Sequence, residues 1–530
     1  MIEEFVILGK WWLPSNPAIV VPGKLSFSPE SGAELELIGS FYNSEFQEIG
    51  QARDFITSDA ENSFWDSTLL ERGVVVEFIK PQETIILGLL ENNEEITLYN
   101  CSGRIKKFEF FKGRAIVIFN VRYIFKKIHF QEEESIKLKS ISVEYAYLRE
   151  WIGKSGIKAI IPQEENKLWI TYQPPSSISL ARINDLDVSI TFSRINLNPF
   201  DVYLGATYYQ ANIEQKTYLT IKNNCNQPLD KCIELLIHFR DLLSFAISKP
   251  SSIISITANV DVNHPKNTSH DDGTFMTEED VLESQIIIMF GLWNSGKHLD
   301  IKVTPYEMLF LFTDVGDRFG EIFIEWLNKR QIYEPVFNLL MTTMYTPDLY
   351  LDYGFLNIIQ ALEVYHGNKY KGTYQDDKVY KNGIYKKLLE VIQEFPSDSS
   401  DNQYGITNDF RQALKGKLNF QNQVSLQTRL NEILADISHL LPDNFIGSDN
   451  DKQNFVSRAS NTRHALAHHN KKQRKKAARG KELSQLFHTL SVILHISLLR
   501  ELNFTDDLIK ALIARNRQYQ REWQSPQKLN

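Results

Sequence analysis

The chain has 530 residues, 42% of them hydrophobic and 23% charged, an ordinary globular balance in a chain too long for one core, so two or three domains are expected. The net charge of −8 hides an asymmetry: residues 451–530 hold 16 Lys and Arg against 6 Asp and Glu, a local +10, which leaves −18 on the rest. Three scattered cysteines, Cys101, Cys225 and Cys232, exclude a disulfide framework or a zinc motif, and with an acidic start (Met1-Ile-Glu-Glu-Phe5) and no apolar run of membrane-spanning length they predict a soluble cytoplasmic protein with no membrane partner.

The first elements read as strands. Leu25–Phe27 and Leu35–Leu37 alternate apolar and polar residues around the turn residues Pro29, Ser31 and Gly32. Val74–Ile79, Thr84–Leu87, Ile96–Tyr99 and Ala115–Phe119 are short, β-branched and aromatic, with Pro81, Gly88, Asn92, Asn93 and Gly113 between them. Such spacing predicts a sandwich or a curled sheet. Strand-like runs continue at Leu168–Tyr172, Val188–Phe192 and Thr217–Ile221. Leu229–Leu243 has helical periodicity, Ser252–Val260 is β-like, and Asn263–Gly273 reads as a polar stretch. Gly291-Leu-Trp-Asn-Ser-Gly296-Lys297 has P-loop spacing, but His298 replaces the hydroxyl residue and a strand-like run follows where a helix is needed, so it counts as a chance match.

From about residue 305 the pattern turns helical. Phe319–Leu327 and Tyr333–Met344 are predicted helices, and Phe355–His366 is a stronger one, with residues 355, 358, 359, 362 and 365 on one face and Gly367 as its C-cap. Loops are expected at Phe395–Asn402 and Pro442–Asp451. A helix through Leu483, Leu486, Leu490, Ile493 and Ser497 follows, and Thr505 caps a last one that opens with Asp506 and Asp507. The predicted fold class is α+β and multidomain. A β-rich region, 1–330, is divisible into lobes at about 150 and precedes an all-helical bundle, 331–530.

One segment carries chemistry. Ser460-Asn461-Thr462-Arg463-His464-Ala465-Leu466-Ala467-His468-His469-Asn470 joins an arginine to three histidines. The basic residues Lys471, Lys472, Arg474, Lys475, Lys476, Arg479 and Lys481 follow. Arginine holds a phosphate and histidine moves a proton near neutral pH, so the pattern points to a phosphodiester, most simply RNA, with Lys471, Lys472, Arg474, Lys475, Lys476 and Arg479 as its electrostatic footprint. Spacing alone is weak: Arg122/His129 and Arg458/His464 give comparable chance pairs. Arg463 and His468 stand about 140° apart on a helix, so their convergence is expected only with Arg463 at a helix N-terminus. Two other readings stay open. His464 and His468, at i and i+4, suit zinc, although no third ligand is near. The histidines could also be a solvated helix face.

At these residues the chain resembles the HEPN superfamily of helical ribonuclease domains. Thr462-Arg463-His464-Ala-Leu-Ala-His468 is similar to the family's Arg-φ-x3-His motif, and Phe355–His366 is similar to an earlier helix of that domain. Gly9-Lys-Trp-Trp-Leu-Pro14 and Gly23-Lys-Leu-Ser-Phe-Ser-Pro-Glu30 resemble the N-terminal domain of ApeA-type HEPN proteins, which are bacterial anti-phage, abortive-infection proteins. The resemblance implies a metal-independent endoribonuclease without a cofactor and a composite site built by two HEPN domains in a homodimer or higher homo-oligomer. In it Arg463 and His468 are the catalytic pair, His464 fills the polar second position, and Glu363 and His469 are accessory. It further implies an RNA substrate, tRNA or another translation-related RNA among them, and a phage-derived trigger for the N-terminal region. The alternative reading is a non-catalytic RNA- or ligand-binding protein whose helical domain only dimerises.

Overall fold

The computed structural model describes residues 4–41, 53–54, 74–75, 82–109, 114–160, 169–193, 214–224, 227–269, 275–291, 303–346, 349–395, 402–442, 445–468, 475–517 and 519–520. The chain forms two compact units. Met1–Leu243 and Ser251–Lys302 make the first, Ser244–Pro250 and Val303–Asn530 the second.

The first unit is built on one antiparallel sheet. Its early strands are β1 (Phe5–Leu13), β2 (Asn16–Ser28) and β3 (Gly32–Ile38), followed by the two-residue strands β4 (Arg53–Asp54) and β5 (Val74–Val75), which pair with each other. β6 (Gln82–Leu90), β7 (Glu95–Glu109) and β8 (Arg114–Lys126) come next. The order β8–β3–β2–β1–β6–β7 returns to β8 through the β7–β8 ladder, so six strands close into a barrel. Period-two alternation dictates its lining. Along β2, Val21, Gly23, Leu25 and Phe27 are buried while the residues between them face out. Trp11, Leu25, Leu35, Ile86, Leu98 and Phe119 are fully buried. The Trp11 indole lies across Gly88, its register partner on β6, where any Cβ would collide with the ring.

The sheet continues past β8. β9 (Leu138–Tyr145), a short helix α1 (Leu148–Ile152), the pair β10 (Ile157–Ile160) and β11 (Trp169–Tyr172), and then β12 (Ile178–Ile183), β13 (Leu186–Phe192) and β14 (Thr217–Asn223) precede helix α2 (Leu229–Ile247). β15 (Ile253–Ser269) and β16 (Phe275–Met289) complete it in the order β16–β15–β9–β14–β13–β12. One edge of β8 pairs with β7 along its length. The other is shared, Ile116–Val121 pairing with β3 and Ile124–Lys126 with β16. α2 covers the extension: Phe239 packs on Tyr145 and Trp151, and the Tyr145 hydroxyl donates to the Leu236 carbonyl at 2.8 Å. The stretch read from sequence as polar, 263–273, is strand through Ser269, because β16 supplies a pairing partner for each of residues 263–269. The P-loop-like residues 292–297 and Cys225 lie outside the described residues, as do 76–79 of the expected strand 74–79. Cys101 and Cys232 are buried and unbridged.

The second unit is helical: α3 (Phe312–Val315), α4 (Phe319–Ile332), α5 (Glu334–Tyr345), α6 (Leu351–Lys369), α7 (Lys386–Glu394), α8 (Asn408–Asn419), α9 (Leu426–Ile437), α10 (Asp449–His468), α11 (Lys481–Glu501) and α12 (Asp506–Arg515). It takes in residues 303–330 because their aromatics are used there: Phe310 meets Phe504 at 5.0 Å and Trp326 meets Phe337 at 4.6 Å. α6 is central, with Phe355, Ile358, Ile359, Ala361, Leu362 and Tyr365 buried. α11 has the length and composition to cross a membrane, but most of it is buried, including Leu490, Ile493, Leu494 and Ile496. The core explains its apolarity. Thr505 caps α12 as expected, its side chain accepting from the Leu508 N–H.

Two sequence expectations fail locally. Gly367 does not end α6, which runs to Lys369 and is closed by the Tyr370 N–H on the His366 carbonyl. Gly367 instead leaves room for Arg429, whose Nη1 would stand 3.4 Å from a Cβ there. Nor does Arg463 sit at a helix N-terminus. It lies late in the 20-residue α10, which begins at Asp449, inside the loop expected over 442–451.

Candidate functional site

α10 starts where its first turn can be satisfied. The Ser448 N–H and Oγ reach the Asp451 carboxylate at 2.8 and 2.7 Å, and the Asp451 N–H returns to Ser448 Oγ at 3.4 Å. This reciprocal cap holds the Asp451 carboxyl below its usual range and places two acids in the first turn, where the helix dipole favours them. The buried face of α10 is then carried by Phe455, Val456, Ala459, Ser460, Thr462 and Ala465. Apart from the first two these are small.

Two residues of α10 recapture the chain after the helix ends. Arg458 grips Glu482 with two charge-assisted bonds of 2.5 and 2.6 Å and donates to the Lys476 carbonyl at 2.7 Å. The paired carboxylate raises the Arg458 pKa further, against the effect of burial. Thr462 is fully buried, and its Oγ1 donates to the Arg458 carbonyl at 2.8 Å and accepts from the Ala478 N–H at 2.9 Å. The chain that leaves α10 at His468 therefore returns one residue from Arg463. Lys475, Lys476 and Arg479 are exposed beside this return.

Arg463 is half-buried, and its Nη2 lies 3.4 Å from Oε2 of Glu363 on α6. Glu363 is itself fixed. Its carbonyl accepts from Arg429 Nη1 at 3.0 Å, and the same guanidinium reaches the carbonyls of Val424 and Gly372 at 3.1 and 3.5 Å. One turn further along α6, His366 is 1% exposed, stacks on Tyr370 and holds Glu432 Oε2 at 2.6 Å from its Nε2. Burial lowers the His366 pKa against the opposing pull of that carboxylate. The sequence reading passed over His366, Arg429 and Glu432. The only available signal was the i, i+3 spacing of Glu363 and His366.

Of the sequence-derived residues, Arg463 and Glu363 are brought together, and His464 is half-buried on the same helix. His468 ends α10, and its side chain lies outside the described residues, as do His469, Lys471, Lys472 and Arg474 entirely. Because α10 is helical through position 468, positions 463 and 468 stand about 140° apart around its axis and about 7.5 Å apart along it. Among the described residues, no three His, Cys, Asp or Glu side chains gather as metal ligands.

A barrel-and-sheet unit followed by a helical bundle, with an Arg-x4-His segment on one bundle helix and its arginine tied to an acid on another, defines a two-module protein of HEPN design. Family comparison makes the class specific. Residues 6–326 match the ApeA N-terminal domain 1 and residues 356–508 the Apea-like HEPN domain, and the chain belongs to this ApeA family. No curated protein and no solved structure matches it.

Proposed function

We propose that this chain is a metal-independent endoribonuclease of anti-phage defence, acting in the cytoplasm by abortive infection. The observation that carries the reading is the Arg463–Glu363 pair within the matched HEPN region, next to the returning basic segment. A phosphodiester of RNA contains its own nucleophile, the ribose 2′-OH. Arg463, steadied by Glu363, stabilises the charge that develops on the phosphorane. His468 takes the 2′-OH proton or supplies one to the 5′-oxygen, with His464 and His469 beside it. Lys471, Lys472, Arg474, Lys475, Lys476 and Arg479 hold the RNA backbone.

The angle of about 140° between positions 463 and 468 around one helix favours a site completed by a second copy, so that acid and base come from different chains in a homodimer or higher oligomer. The N-terminal unit responds to a phage-derived trigger, and tRNA or another translation-related RNA is the substrate. The test is cleavage of total cellular RNA in EDTA by wild type, His468→Ala and Arg463→Ala. Wild-type products ending in 2′,3′-cyclic phosphate, lost in both variants, support the reading. Equal cleavage by all three overturns it, and RNA binding without cleavage, with or without infected-cell extract, leaves a binding protein in its place.

A further inference from the structure

Two residues one turn apart on α10, Arg458 and Thr462, fasten the chain that returns after the helix. Arg458 Nη1 donates to the Lys476 carbonyl at 2.7 Å, and Thr462 Oγ1 accepts from the Ala478 N–H at 2.9 Å. Gly480, with a φ of 52° that suits glycine, then turns the chain into α11. Glu482, in the first turn of α11, closes on Arg458 by accepting from its Nε and Nη2. Lys475, Lys476 and Arg479 are exposed along this fastened stretch, while Ala478 is buried. A lysine at position 458 would not make the same clasp. One planar group must meet a carboxylate with two N–H groups and a backbone carbonyl with a third, which is the fork of a guanidinium.

The guanidinium of Arg458 is already engaged: Nε, Nη1 and Nη2 each donate to a protein oxygen, and Glu482 balances its charge. Its influence on a ligand therefore runs through the segment that it holds. Thr462 directly precedes Arg463, so the backbone anchored at Ala478 lies one residue from the arginine that meets Glu363. We propose that Arg458 is a positioning residue for RNA: with Glu482 and Thr462 it fixes Lys475 and Lys476 in a set place relative to Arg463, so that phosphates held by the lysines bring a neighbouring phosphodiester to that arginine. The effect on cleavage rests on the nuclease reading, whereas the effect on binding requires only that these lysines hold RNA. Opening the clasp leaves every lysine charge in place and removes its alignment. RNA binding should then weaken with no change in salt dependence, because the segment must be ordered as RNA binds while the number of phosphates neutralised stays the same.

The experiment compares the full chain with two clasp variants. Arg458→Gln together with Glu482→Gln removes one charge of each sign and keeps the net charge, and Arg458→Lys keeps the charge without the fork. Affinity for a single-stranded RNA oligonucleotide is measured by fluorescence anisotropy across a salt series in EDTA, in a His468→Ala background that blocks cutting. Single-turnover cleavage at saturating RNA is measured without that background, and circular dichroism verifies folding. In both variants Kd should rise and the cleavage rate constant should fall, each on the order of tenfold, at an unchanged slope of log K against log salt. Affinity and rate equal to those of the intact clasp, with only a lower melting temperature, would reduce the clasp to a structural brace and overturn the proposal. A slope that falls along with affinity would make Arg458 a phosphate contact and overturn it too. If the double variant fails to fold, Arg458→Lys decides. Wild type that binds RNA without cutting it defeats the nuclease reading alone, and the clasp is then judged on Kd; wild type that binds no RNA defeats both.

Discussion

The guanidinium of Arg463 and the carboxylate of Glu363, a hundred residues apart in sequence, stand 3.4 Å apart on neighbouring helices. Both side chains are partly exposed, so the pair itself is worth about 0–1 kcal/mol of stability. In the proposed reaction its value lies in aiming the arginine. Glu363→Gln should therefore slow RNA cleavage about tenfold, equivalent to about 1.4 kcal/mol of barrier, while the melting temperature moves by no more than about 4 °C. An unchanged rate constant in single-turnover assays would remove Glu363 from the site.

Lys475 and Lys476 are exposed where the chain returns to α10. Replacing both with Ala should weaken RNA binding and reduce the slope of log K against log salt by about 0.7 for each lysine that touches a phosphate. Fluorescence anisotropy across a salt series measures it. Weaker binding with an unaltered slope would mean that these lysines act through structure instead of through the phosphates.

Acid should weaken the helical unit through its histidines. His495 is half-buried with its ring edge-on to Phe245 and its Nδ1 2.8 Å from the Tyr519 hydroxyl, and desolvation pushes its pKa down to about 4. The neutral ring is thus favoured in the folded state. Its contribution is complete above the unfolded value of about 6.5 and drains away as pH falls from there toward 4, up to about 3 kcal/mol. Burial shifts His366 and His488 in the same direction. Urea melts at stepped pH should show stability falling across this window, with a shallower fall in His495→Gln. Equal slopes would show that His495 is not the source.

Two glycines should respond oppositely to alanine. At Gly88 a methyl group runs into the Trp11 indole inside the barrel, so Gly88→Ala should cost about 1–3 kcal/mol or more. Gly416 lies within α8 with open space around its Cβ position, and Gly416→Ala should be neutral or add up to about 1 kcal/mol. Denaturant midpoints followed by tryptophan fluorescence for Gly88 and by circular dichroism for Gly416 decide both.

The sequence was most legible where one face of an element is buried. Alternation marked β2 and β3, a β-branched run marked β6, and the 355–365 stripe marked α6, because burial selects these residues directly. α7 escaped that reading because Leu388 and Val391 stay exposed and its flanks are densely charged, whereas α9 was missed although Leu426, Leu430, Ile433, Leu434 and Ile437 form a buried face. Closure of the barrel depends on long-range ladders such as β3–β8 and β1–β6, which no local pattern encodes. At the site, the Arg463/His468 spacing was visible, but the support behind it was not: Arg429 acts on backbone carbonyls at Glu363, Gly372 and Val424, and backbone acceptors leave no trace in residue identity. The anchoring of Thr462 by the Ala478 N–H is hidden for the same reason.

Strand β8 belongs at once to a closed ring and to an open sheet, with β7 on one edge and both β3 and β16 on the other. No seam separates the two halves of the first unit, since parting them means breaking a strand that the ring also needs. Barrel and sheet should consequently melt as a single cooperative block. Amide protons of residues 117–126 would then exchange with solvent only through opening of the whole unit, while those of β12 at the outer margin fray far sooner.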